Sequence, residues 1–197
     1  MLKKVVFVML AAMMLSTFAA AQSLYLLSPF NNRNNPAGAD QMIYIINDGF
    51  QGSSLQITFP VQGTLCANIY VFDAVQELVE CCSCPLIANA LLKLSLNNNL
   101  TANPLVPFNV NSGVIKLIST LPNGTICDPT QIPTDLLSVG LEAWATHVEQ
   151  PTTGNFVTVM ATFLPGTPGT AEFEFLPQNC QFAHYLGTGG TGVCSCK

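Results

Sequence analysis

The sequence predicts a mainly β fold, an antiparallel β-sandwich-like domain held by disulfides and carrying a short C-terminal helix. Three observations carry this expectation. From Gln41 onward the chain is a succession of short apolar or alternating runs divided by turn-forming residues, the pattern of antiparallel strands joined by tight connections. Eight cysteines, an even number, all lie beyond an apolar N-terminal stretch. Of the 197 residues 49% are hydrophobic and only 9% charged, so there is ample side chain for a core and none of the composition of a disordered chain.

The N-terminus sets the domain organisation. Lys3 and Lys4 precede an apolar run over residues 5–18, and Ala19-Ala20-Ala21 then places small residues at the −3 and −1 positions of a cut before Gln22. These are the parts of a cleavable secretory signal, and the run falls short of the roughly 20 residues that cross a bilayer as a helix. No cysteine follows the run at the cut, which argues against a lipid-modified N-terminus. Residues 1–21 are therefore read as a signal peptide and 22–197 as one disulfide-stapled β domain with no membrane span in the mature chain. The expected location is secreted: extracellular, on the cell surface or in a periplasm. The mature segment keeps four basic against eleven acidic residues, a net charge of −7, so it offers no cationic surface for nucleic acid or anionic membrane.

The strands are expected at residues 24–28, 42–47, 54–59, 66–72, 77–82, 91–96, 114–120, 140–148, 156–163 and 171–175, with a polar turn cluster between the first two at 31–38. Residues 66–72 are apolar on both alternating faces, as in a central strand covered on two sides. Asp73-Ala74-Val75-Gln76 makes a tight connection into 77–82, and the β-branched Val75 favours a type I turn over the primed types. Leu92, Leu94 and Leu96 alternate cleanly and face inward. Residues 141–148 fit a strand or a helix; Thr146, Val148 and the strongly β run after them favour the strand, with 151–154 as the hairpin loop. Residues 177–186 place Cys180, Ala183 and Tyr185 at loose helical spacing, with Pro177 early and Gly187 after the last turn, which predicts the short helix. The glycine-rich tail beyond it has Cys194 and Cys196 as its ties.

Structural disulfides are expected for Cys66, Cys81, Cys82, Cys84, Cys127, Cys180, Cys194 and Cys196, in a connectivity that spacing leaves open. Adjacent Cys81 and Cys82 point to opposite faces of a strand and so take different partners. Cys194 and Cys196 point the same way when extended, which would stitch the tail to the 81–84 region. Two other chemistries compete for these residues. Cys81-x-x-Cys84 with Cys194-Ser195-Cys196 has the spacing of a thiolate zinc site, disfavoured in an oxidising compartment. Cys81-x-x-Cys84 alone has the spacing of a redox dithiol, disfavoured by Pro85 and a following strand where that motif needs a helix. No cofactor and no metal are expected.

No catalytic constellation stands out, so an enzyme is disfavoured. His147 and His184 are the two histidines, and the chain has no nucleophile-elbow motif to accompany them. Glu77 with Glu80, and Glu172 with Glu174, are the carboxylate pairs a glycosidase would need; the second is read as the solvent face of a strand that turns Phe173 and Phe175 to the core. The amide-rich stretches 31–35 and 97–99 lack the acids of a tight calcium loop. Asn99-Leu100-Thr101 and Asn123-Gly124-Thr125 match the glycosylation sequon and would be idle in a bacterial protein.

The blocks 65–73 (LCANIYVFD), 76–85 (QELVECCSCP), 127–130 (CDPT), 144–147 (WATH) and 192–196 (GVCSC) resemble a group of uncharacterised secreted bacterial proteins. The resemblance spans residues 65–197 and implies that the cysteine framework and the export signal belong together; the group has no established activity, so no catalytic role comes with it. Three functions are carried forward. The first is a non-enzymatic extracellular or cell-surface structural or adhesive protein, its partner being extracellular matrix, a glycan or another copy of itself. The second is a carbohydrate-binding module using Tyr25, Tyr44, Trp144 or Tyr185. The third is a secreted hydrolase using His147 or His184 with a nearby acid.

Overall fold

The computed structural model describes residues 23–32, 40–52, 62–102, 110–149, 157–183 and 196. The expected signal segment, the expected strand at 54–59, the loop at 151–154 and most of the glycine-rich tail lie outside the described residues. The described residues form nine strands: β1 (Tyr25–Asn31), β2 (Met42–Asn47), β3 (Leu65–Asp73), β4 (Leu78–Leu86), β5 (Leu91–Ser95), β6 (Ser112–Thr120), β7 (Leu141–Glu149), β8 (Val157–Thr162) and β9 (Leu164–Pro165). Among the described residues one α-helix, α1 (Thr170–Ala183), follows them, a π-helical turn, Leu96–Leu100, caps β5, and a 3-10 turn, Thr134–Leu136, lies between β6 and β7. Among the described residues no helix is long and apolar enough to cross a membrane.

All pairings are antiparallel and form two sheets, one in the order β4-β3-β6-β1-β9 and one in the order β5-β2-β7-β8. The alternation of β3 explains how they stack. Leu65, Ala67, Ile69 and Val71 share one face and pack with Ile43, Ile45, Leu92, Leu94, Ala143 and Ala145 of the other sheet. Tyr70 and Phe72 turn the opposite way and pack with Ile118, Ile132, Leu176 and Cys180. The five-stranded sheet is thus covered twice, by the second sheet and by α1 with the 121–138 segment. That is why every position of β3 is buried, as its two-faced apolar run predicts.

Buried polar side chains tie the layers together. Asn47, wholly buried at the end of β2, donates through Nδ2 to the carbonyl oxygens of Gly63 and Leu86, both at 2.8 Å. Asn68 of β3 donates to Ile118 O and to Thr120 Oγ1, both at 3.0 Å, and accepts from Ser83 Oγ at 2.7 Å. Each satisfies groups that would otherwise lose water without replacement.

The β3–β4 hairpin forms where expected, and Val75 does not take a positive φ. Asp73 Oδ1 accepts from the Val75 and Glu77 amides, Gln76 N donates to Asp73 O, and the left-handed residue is Gln76 at φ 72°. This is a type I turn followed by one left-handed position.

One element departs from expectation. Residues 171–175 are not a strand; they are the first turns of α1, which begins seven residues before Pro177 rather than at it. The Glu-Phe alternation there mimics a strand, but Phe173, Leu176, Pro177 and Cys180 recur at helical spacing on the side that packs against the five-stranded sheet. Consequently Glu172 and Glu174 do not share a solvent face. Phe173 packs on the core, whereas Phe175 is 46% exposed and stacks on Phe72 with ring centroids 6.3 Å apart.

Candidate functional site

The cysteines act as staples between layers. Cys81, opposite Tyr70 in the β3–β4 register, faces α1 and bonds to Cys180 at a Cα separation of 5.8 Å. Cys84, opposite Ala67, faces the other way and bonds to Cys196 (Cα separation 5.4 Å), so Cys196 is tied to β4. Cys66 bonds to Cys127 (5.5 Å) and fixes the 121–138 segment; Cys82 is also disulfide-bonded. The Cys81-x-x-Cys84 thiols therefore belong to two staples on opposite faces and do not form one dithiol or one metal site. Cys194 lies outside the described residues. Among the described residues no three His, Cys, Asp or Glu side chains cluster as a metal site.

The outer face of the four-stranded sheet is built differently. Register places Lys93, Tyr44, Trp144 and Thr162 in one row across β5, β2, β7 and β8. The next row holds Ser95, Met42, Thr146 and Met160, and the row on the other side holds Leu91, Ile46 and Glu142. Tyr44 and Trp144 stack, with centroids 5.4 Å apart and planes inclined by 7°, and Lys93 Nζ lies 5.9 Å from the tyrosine centroid. Parallel rings that close lie over each other rather than side by side, so the pair is not a flat platform. Tyr44 covers one face of the indole and leaves the other toward β8.

Trp144 also borders a groove of about 310 Å³, lined with it by Glu142, Met160, Thr162, Leu26 and Phe163 among others. Its origin is topological. Thr162, the last residue of β8, pairs with Trp144, after which Phe163 N donates to Ala143 O at 3.0 Å and the chain drops to β9 in the other sheet. The Leu141–Glu142 end of β7 is left without β8 beside it. Gly140 (φ 121°) makes the entry to β7 possible, since a Cβ there would meet Asp48 Oδ1 and Leu65 Cδ1 at 3.1 Å.

The other residues singled out by sequence fare unequally. His147 meets an acid, Glu149 Oε1 at 2.8 Å, but the two side chains are 23% and 58% exposed at the end of β7 and do not line the groove beside Trp144. His184 and Tyr185 lie outside the described residues. Glu77 is exposed in the hairpin turn, whereas Glu80 is buried within β4, its Oε1 accepting from Cys81 N, so they are not a facing pair. Tyr25 is not an exposed sugar-stacking ring: it is 6% exposed and its hydroxyl donates to Glu172 Oε1 at 3.4 Å. Burial first, and the adjacent carboxylate second, push its phenol well above the ordinary range. The same Glu172 pairs with Lys116 Nζ at 2.5 Å. Asn99 is engaged locally, its Oδ1 accepting from Ser95 N, and Asp40 bonds the Ser95 hydroxyl and the Asn97 amide.

Sequence reasoning named Tyr44 and Trp144 separately and missed Lys93, Glu142 and Thr162. Their proximity follows from β7 lying between β2 and β8, a pairing with no local signal. The chain matches no protein-family model, no curated protein and no solved structure.

Proposed function

We propose that this chain is an exported, non-enzymatic adhesive module that makes its contact through the outer face of the four-stranded sheet. One observation carries the reading: that face presents Met42, Tyr44, Ile46, Leu91, Trp144 and Met160 outward, with Lys93 and Glu142 as its charges, while both faces of the other sheet are covered. Leu91 and Met160 are 56% and 66% exposed and the other four are half-buried, and a partly exposed apolar patch rimmed by polar groups marks a contact surface. Support comes also from the disulfides, which persist in oxidising compartments, and from the signal-like residues 1–21. The test is retention of the oxidised mature protein on cell-envelope and matrix preparations. Retention is expected for the native chain and is lost in the Tyr44→Ala, Trp144→Ala double variant at unchanged thermal stability. No retention, or retention indifferent to the double variant, removes the reading.

A second reading places a glycan in the groove. Its motive is that Trp144, Glu142 and Thr162 line the groove together. The C–H face of a pyranose packs on such a ring while its hydroxyls donate to the carboxylate. Trp144 is the sole tryptophan, so its fluorescence reports directly on the groove. Neutral oligosaccharides should shift its emission saturably, and Glu142→Gln should weaken the effect; flat titrations across a panel exclude this reading.

A further inference from the structure

The sheet edges are not alike. β4, at one end of the five-stranded sheet, carries Pro85 and the Cys84–Cys196 disulfide; β9, at the other end, is two residues long and closes on Pro165. β5 presents the exposed Lys93 and runs into the π-helical turn. Prolines, lysines, short length and covalent covers are the devices that stop an edge from pairing with another chain. β8 has none of them. Its residues, Val157-Thr158-Val159-Met160-Ala161-Thr162, hold no charge, proline or glycine, and among the described residues they pair only with β7, without a bulge.

β8 is also bare on its faces. Val159 and Ala161 oppose His147 and Ala145 and so continue the inward-facing set of β7, yet Ala161 is exposed and Val157, in the same set, is 45% exposed. On the other face Met160 is 66% exposed. The five-stranded sheet ends in the two-residue β9 and does not reach under this strand. A β-branched, uncharged strand with an open edge and uncovered faces is a template for another strand.

We propose that β8 is the docking edge for a second copy of this chain, the two β8 strands pairing antiparallel about a twofold axis normal to the sheet. Self-pairing selects this occupant. About a twofold axis a strand meets its own residues, so every charge in it would be brought toward a like charge, and β8 holds none. An axis at Met160 supplies it: Thr158 opposes Thr162, Val159 opposes Ala161, Met160 opposes its symmetry mate, and each side chain stays on its own face. The interface is isologous and closes at two copies. It joins the two four-stranded sheets into one and sets their outer faces side by side. It stands independently of what that outer face binds.

The test uses oxidised residues 22–197 in sedimentation equilibrium. The native chain is expected to show a monomer–dimer equilibrium. Met160→Lys, which sets two cations together at the axis, and Thr158→Lys, off the axis, are each expected to leave a monomer with native circular dichroism. Met160→Cys is expected to oxidise to a covalent dimer faster than Leu91→Cys on the opposite edge, because residues facing across a strand pair lie within disulfide reach. A native chain that stays monomeric at every concentration overturns the proposal. So does a dimer that survives both lysine variants, or cross-linking at position 160 no faster than at 91.

Discussion

The two sheets share one apolar layer and differ in everything else. The five-stranded sheet buries its second face beneath α1 and the 121–138 segment, with disulfides Cys81–Cys180 and Cys66–Cys127 holding those covers down. Its polar side chains on that side are placed: Asn68 bridges three strands, and Tyr70 donates its hydroxyl to Pro129 O at 2.6 Å, with burial and then the Asp128 charge raising its phenol above the usual range. Among the described residues the four-stranded sheet has no such cover on its outer face, where the stacked rings and the aliphatic side chains are partly exposed. Folding stability is therefore concentrated in the first sheet and the shared layer, and capacity for contact in the second. Apolar area that folding leaves partly exposed can still be buried on association, which keeps binding free energy in reserve.

Substitutions can break or sharpen this contrast. The largest effect is expected in the shared layer: Leu117→Ala, at a 1% exposed position of β6, should cost about 2–5 kcal/mol in chemical denaturation. A cost near zero would mean that the layer is not a packed core. Next, replacing Cys81 and Cys180 together by Ala should cost about 2–4 kcal/mol and raise hydrogen exchange in α1 before the strands. Uniform loosening of the whole chain would show that the helix is not a separately anchored cover. Tyr70→Phe should cost about 1–3 kcal/mol by leaving the Pro129 carbonyl buried without its donor. Smallest of all, Leu91→Thr or Met160→Thr on the outer face, at positions 56% and 66% exposed, should move stability within roughly 0.5 kcal/mol, as expected of surface positions. A loss comparable to that of Leu117→Ala would mean that the outer face is covered in solution and would end the contrast between the sheets.

Much of the first sheet was legible in the chain. The two-faced apolar run of 65–73 announced a strand covered twice, and adjacent Cys81 and Cys82 announced staples on opposite sides. The turn at 73–77 was legible because Asp73 and Val75 restrict their own backbone. The helix was misread at its start because Ala-Glu-Phe-Glu-Phe satisfies a period of two as well as a helical one. Contact of Phe173, Leu176 and Cys180 with the sheet decided between them. The candidate site was legible only in pieces: Trp144 and Tyr44 are visible as aromatics in strands, but nothing local says that the strands adjoin.

What the sequence by itself determined is the local alternation: which side of each strand is apolar, and which cysteines point apart. This holds because side-chain direction has a period of two, set by the chain's own geometry. What only the tertiary structure decided is which strands are neighbours and which faces are covered. Pairing β2 with β7 closes a long loop whose entropy must be offset by the whole core at once, so no short segment encodes it. The stacked rings, the groove beside them and the open edge of β8 all follow from that global choice.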